Sequence, residues 1–196
     1  MKNVTVFLFD DFTSIDALGP TEVLSKLNKI YKIEYFSRNG GPISSSTGAV
    51  IHTEKIKEPS GSDVLIVPGG FGTRNLVNDT DFISLLEKLV SKAEYVLSIC
   101  SGSALLAKSG CLNDKRATGN KLSWDWVISQ NSNVKWVKKA RWVVDGKFYS
   151  SSGVTAGIDM TLGFVSDIHG YETARKISNA MEYLWNENKD NDPFCF

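Results

Sequence analysis

The chain has 196 residues, 42% of them hydrophobic and 22% charged, the balance of a soluble globular protein and enough length for one domain, residues 1–196, with a sizeable core. Lysine plus arginine and aspartate plus glutamate number 22 each, so no net field draws a polyanion or an anionic membrane surface, and neither nucleic acid nor membrane is expected as a partner. Three cysteines, an odd number without CxxC spacing and without a signal peptide, point to free thiols in a reducing, cytoplasmic compartment and away from a disulfide framework or a zinc site.

Val4 to Phe9 is a continuous apolar, β-branched and aromatic run, the pattern of a central strand covered on both faces of a parallel sheet. Pro20 then stands at a plausible first helical position, with Val23, Leu24, Leu27 and Ile30 at helical spacing, which leaves Asp16 in the loop between strand and helix. Tyr31 to Ser37 reads as a second strand ended by Arg38-Asn39-Gly40-Gly41-Pro42. Val64 to Val67 reads as a third, closed by Pro68-Gly69-Gly70-Phe71-Gly72, a loop glycine-rich enough for backbone to approach a ligand. Phe82 to Val90 has helical spacing, Tyr95 to Ile99 is a short apolar strand, and Gly102 to Ala107 resumes a helix. Strand alternating with helix predicts right-handed crossovers and a doubly wound, mostly parallel α/β sheet with helices on both faces, whose ligands sit beyond the carboxyl ends of the strands.

Farther on, Lys135, Lys138, Lys139 and Arg141 read as a solvated basic face. Trp142 to Val144 and Lys147 to Tyr149 flank Asp145-Gly146, the signal of a tight hairpin added to the sheet. Thr155 to Ile168 and Tyr171 to Trp185 read as amphipathic helices, and Asn186 to Phe196 as a polar tail with an apolar end. The five tryptophans suit core or interface positions better than a cofactor box.

Cys100 stands where the strand YVLSI runs into SGSALLA, and the small residues Ser101, Gly102 and Ser103 permit a sharp turn of the nucleophile-elbow kind. A thiol at a helix N-terminus faces unpaired N–H groups and the positive end of the dipole, which lower its pKa. Ser101 and the Gly70 or Phe71 amide would supply two donors to an oxyanion. The alternative, a cysteine buried as a small hydrophobe, stands level with this reading on the pattern alone. For Asp16 the alternative is a turn or capping aspartate. Glu22 suits a first helical turn. Cys111 and Cys195 lack the small-residue turn, and His52 and His169 read as structural.

Three segments, VLIVPGGFG, SICSGSALLAKSGCL and SSSGVTAGIDMTLGFV, together resemble the PfpI/ThiJ superfamily, whose fold is like that of class I glutamine amidotransferases, across almost the whole chain. The loop Asp16-Ala17-Leu18-Gly19-Pro20-Thr21-Glu22 and the terminal MEYLW and DPF resemble its isonitrile hydratase-like branch. The resemblance implies Cys100 as nucleophile, Asp16 as the carboxyl partner moving protons, Ser101 as a hydroxyl neighbour, no cofactor, a small-molecule substrate and a homodimer. The implied reaction is hydration of an isonitrile to an N-substituted formamide.

Two positions depart from the pattern. Many relatives carry Thr-Thr-His-Trp after Arg-Ala, whereas here Arg116-Ala117 leads to Thr118-Gly119-Asn120-Lys121, with Asn120 at the histidine position. Protease-like members place histidine directly after the cysteine, where this chain has Ser101, which disfavours a Cys-His-acid protease. Two other readings follow from the resemblance. One is a thiol-based stress protein whose Cys100 is oxidised. The other is a non-catalytic ligand-binding relative of regulator domains, the chain stopping before any helix-turn-helix portion.

Overall fold

The computed structural model describes residues 1–56 and 61–195. In chain order these form β1 (Lys2–Phe7), α1 (Ser14–Ser25), β2 (Tyr31–Ser37), β3 (Gly41–Ser44), β4 (Val50–Lys55), β5 (Val64–Val67), α2 (Thr73–Leu76), α3 (Thr80–Lys92), β6 (Tyr95–Ser98) and α4 (Gly102–Lys108). There follow β7 (Arg116–Ala117), α5 (Trp124–Ser129), β8 (Lys135–Trp136), β9 (Trp142–Asp145), β10 (Phe148–Ser151), α6 (Ala156–His169) and α7 (Tyr171–Ala180).

Eight strands make one sheet in the order β3-β4-β2-β1-β5-β6-β10-β9. The six inner strands run parallel, while β3 and β9 close the edges antiparallel. All four residues of β5 are buried, as are Val4, Val6 and Phe7 of β1, because helices cover both faces of the sheet. Helices α1, α6 and α7 pack on one another, and α2 to α5 form the second group. Each fully buried Leu, Ile or Phe of this interior contributes roughly 1.5–3 kcal/mol. The chain passes from β1 to β2 on one side and later lays β5 on the other side of β1, so strand order reverses at β1. The crevice at such a reversal is where doubly wound sheets bind ligands, and the segments after β1, β5 and β6 meet there.

Several local expectations change. Helix α1 begins at Ser14, so Asp16 lies in its first turn and Pro20 inside it. Pro20 removes a backbone bond that an interior helix position normally makes, but Thr13 N–H donates to Gly69 O at 2.9 Å and fixes the helix start from outside. The hairpin pairs Asp145 with Phe148, so its loop is Gly146-Lys147. That hairpin is the sheet edge itself, with β10 parallel to β6. The β3–β4 hairpin at the opposite edge had no sequence signal of its own.

Arg141 is not on a solvated face. It is buried, with Nε donating to Asp159 Oδ2 at 2.7 Å and Nη1 lying 3.8 Å from Asp192 Oδ1. This ionic cluster also ties down the terminal segment, which reads as a free tail only in one dimension: Asn186 N–H donates to Asp159 Oδ1, Arg141 N–H to Lys189 O, and Trp185 Nε1 to Asp159 O. Helix α7 accordingly stops at Ala180, short of Trp185. Phe196 lies outside the described residues. No helix among them is long and apolar enough to cross a membrane.

Candidate active site

Strand β6 ends at Ser98 and α4 starts at Gly102, which leaves three residues to reverse direction. Cys100 does so at φ 59°, a left-handed backbone that L side chains rarely adopt and that costs on the order of 1–3 kcal/mol. The strain is held from several sides: Cys100 N–H donates to Ser152 O at 3.0 Å, and its carbonyl accepts from Ser103 Oγ at 3.0 Å and Asn120 N–H at 3.3 Å. Glycine at 102 is required by close approach, since a Cβ there would lie 2.4 Å from Val67 O.

Asp16 is fully buried, and its Oδ2 accepts from Gly69 N–H at 3.0 Å. A Cβ on Gly69 would stand 2.9 Å from that oxygen and 2.6 Å from Ser101 N, so only glycine lets three chain segments converge. Oδ1 of Asp16 makes no hydrogen bond among the described residues, and the Cys100 thiol beside the carboxyl group favours the carboxylate. Burial outweighs both favourable contacts and pushes the Asp16 pKa up to about 7.

Three N–H groups address the sulfur: the main-chain amides of Ser101 and Val154 and the side chain of Asn120, whose Nδ2 lies 3.1 Å from Sγ. Val154 reaches its place at φ 42°, an outlier for a β-branched residue, so both the residue that carries the sulfur and one of those that donate to it have left-handed backbones. Asn120 Oδ1 accepts from Ser123 N–H at 2.8 Å, which fixes which end of the amide meets sulfur. The expectation of a lowered thiol pKa is corrected here. Cys100 is only 7% exposed, and burial together with the Asp16 charge pushes its pKa up to about 12 against the three donors. Sulfur and carboxyl therefore titrate as a pair. The pair gives up a first proton near neutrality and holds the second far above it.

Ser101 enters differently from the expectation. Its Oγ accepts from Gly70 N–H at 3.0 Å and from Thr73 Oγ1 at 3.2 Å, locking the glycine loop to the start of α4. The Gly70 amide is thereby engaged and is not a free oxyanion donor. Phe71, whose main-chain N–H was the other candidate donor, is 78% exposed, and its carbonyl accepts from Arg74 N–H at 3.0 Å. Glu22 pairs with Lys26 on the surface of α1. His169 Nε2 lies 2.8 Å from Tyr31 Oη, remote from the sulfur, and His52 is exposed on β4. Cys111 and Cys195 are partly buried free thiols. Among the described residues no group of three or more His, Cys, Asp or Glu side chains could hold a metal ion.

A cavity of about 520 Å³ is lined by Asn120 and Val154, both donors to the sulfur, and by Lys121, Leu122, Gly153 and Phe194, while Cys100 itself is not on its wall. The signals for Asn120 and Val154 were not local ones. Asn120 stood out in the sequence only as a departure from a histidine, and nothing marked Val154.

Fold and site together define a doubly wound α/β protein with a strained cysteine facing a buried carboxyl group at the sheet's switch point. The chain belongs to the DJ-1/PfpI family, which it matches over residues 2–167. It is 31% identical over 177 residues to an isonitrile hydratase of Pseudomonas putida, covering 90% of this chain and 76% of that protein. It is 28% identical to the HTH-type transcriptional regulator CdhR of Pseudomonas aeruginosa, covering 84% of this chain but only 49% of the regulator. Among solved structures, a ThiJ/PfpI family protein from Pseudomonas syringae superposes with a TM-score of 0.84 at 26% identity, over 98% of this chain and 76% of that one. Drosophila melanogaster DJ-1beta shares the fold at a TM-score of 0.80 and 21% identity, over 94% of this chain and 99% of that one.

Proposed function

We propose that the chain is a cofactor-free, cysteine-dependent hydratase that adds water to a small isonitrile and releases an N-substituted formamide. The observation that carries the reading is the sulfur's setting: one carboxyl group and three N–H donors converge on Cys100 beside a mostly apolar cavity of about 520 Å³. An isonitrile's terminal carbon accepts a nucleophile only where a proton is delivered to that carbon, and a thiol paired with a carboxyl group does both.

In this course Asp16 takes the thiol proton and Cys100 Sγ bonds to the terminal carbon. Asp16 returns the proton to that carbon, which gives a thioimidate. Water then adds to the thioimidate carbon, a water proton passes through Asp16 to nitrogen, and the C–S bond breaks. The departing thiolate is received by the amides of Ser101, Val154 and Asn120, and the remaining hydroxyl proton returns it to the thiol as the formamide carbonyl forms. Ser101 Oγ and Gly70 hold in register the loop whose Gly69 N–H donates to Asp16 on α1. A reducing cytoplasmic compartment, one domain over residues 1–196 and a homodimer belong to the same proposal. The test is formamide production from alkyl and aryl isonitriles by wild type, Cys100→Ala and Asp16→Asn. Activity in wild type that is lost in both variants supports the reading, and activity surviving in Cys100→Ala removes it.

One observation favours a second reading. A carboxyl group that keeps a proton near neutrality and three amides are also a fitting cradle for an oxidised cysteine, formed as thiolate and peroxide give sulfenate and water. Mild peroxide followed by intact mass separates the two: selective oxygen addition at Cys100 in a protein inert to isonitriles favours the sensor. Ligand binding with full biological effect in Cys100→Ala favours a non-catalytic binding domain.

A further inference from the structure

Arg74 reaches the reaction centre through other residues. It stands on α2, directly after the glycine loop, and its guanidinium lies 3.5 Å from the centroid of the Trp126 ring on α5. Nη2 donates to Ser123 Oγ at 2.9 Å. Ser123 N–H donates to Asn120 Oδ1 at 2.8 Å, and Nδ2 of that amide donates to Cys100 Sγ at 3.1 Å. A guanidinium only donates, an amide oxygen only accepts and an amide nitrogen only donates. The contacts therefore leave the Asn120 amide a single orientation, with its N–H toward sulfur.

Among the described residues Arg74 forms no ion pair with a carboxylate. Its seat on an indole face suits a weakly hydrated planar cation. Burial lowers its hold on its proton, and negative charge on Cys100 offsets part of that loss; by reciprocity the guanidinium favours the thiolate. The charged groups bearing on the sulfur are thus Asp16 from α1 and Arg74 from α2, while Ser101, Asn120 and Val154 supply neutral donors.

We infer that Arg74 is a positioning residue for Cys100: seated on Trp126, it anchors the Ser123–Asn120 segment that aims an N–H at the sulfur, and its charge stabilises the anionic sulfur. The inference rests on Cys100 acting as a nucleophile and is independent of which substrate it attacks. A lysine would keep the charge but lose the planar stacking and the fork of donors.

The test is the rate of Cys100 alkylation by iodoacetamide between about pH 6 and about pH 10, followed by the mass of the Cys100 peptide, with melting temperatures measured alongside. Arg74→Gln is expected to slow alkylation about tenfold at every pH in this range, the equivalent of a thiol pKa higher by about one unit. Arg74→Lys is expected to fall between it and wild type. Ser123→Ala, which removes the anchor but keeps the charge, is expected to slow the reaction about threefold. Should Arg74→Gln fail to fold, the other two variants carry the test. Profiles that coincide with wild type in folded variants overturn the inference. Failure of the nucleophile reading shows differently, as a wild-type Cys100 that iodoacetamide does not modify at any of these pH values.

Discussion

Replacing Asp16 by asparagine should make the protein more stable while removing its chemistry. Asp16 is fully buried and its pKa rises from 3.8 to about 7, chiefly because burial penalises the charged form. A carboxyl group that holds its proton more tightly when folded binds extra protons in the native state between these two pH values, so stability falls as pH rises through that window and the penalty is complete above it. Roughly three pH units at 1.36 kcal/mol each amount to about 4 kcal/mol at pH 8 and under about 1 kcal/mol near pH 4. Asparagine keeps an oxygen for the Gly69 N–H and carries no charge to desolvate. Urea unfolding of wild type and Asp16→Asn from about pH 4 to about pH 8 should therefore show a stability difference that opens with pH and reaches about 4 kcal/mol, or roughly 10 °C in Tm. Comparing the two proteins at each pH cancels the titration of other groups. A variant no more stable than wild type at pH 8, or a difference that does not change with pH, would refute the account of Asp16 as a desolvated acid.

The remaining expectations are briefer. Asn120→Ala removes a donor 3.1 Å from the sulfur and should slow Cys100 alkylation about 10- to 100-fold, the worth of a hydrogen bond to a charged group; an unchanged rate would make Asn120 a bystander. Arg141→Met leaves Asp159 and Asp192 buried without their cation and should cost about 3–5 kcal/mol by urea unfolding, with a double variant that also carries Asp159→Leu recovering part of the loss. Gly102→Ala drives a methyl group to 2.4 Å from Val67 O and should lower Tm by more than about 5 °C; a neutral result would mean the elbow relaxes freely.

The buried strand Val64 to Val67 was legible because burial on both faces demands a continuous apolar run, and Tyr31 to Ser37 because it alternates; both have the expected bounds. The elbow was legible for a steric reason: the small residues Ser101, Gly102 and Ser103 after the strand and its cysteine permit a sharp turn. Helix α1 was misplaced because Pro20 is a strong local signal, whereas the contact that sets the start of the helix, Thr13 to Gly69, joins residues far apart in the chain. Arg141 and the terminal segment were misread for the same reason, their partners being distant.

The sequence by itself determined the alternation of strand and helix, the doubly wound class and Cys100 on its small-residue turn, since periodicity and turn chemistry are properties of neighbours along the chain; Asp16 was singled out only through the family resemblance. Tertiary structure alone decided the electrostatics: that Asp16 loses its water, that the thiol pKa rises instead of falling, that Gly70 is bound to Ser101, and that Asn120 and Val154 complete the donors to sulfur. Ionisation depends on solvent exclusion and on charges within a few ångströms, and those neighbours come from β1, β5, β6 and the segments around residues 120 and 154, brought together only when the sheet is assembled.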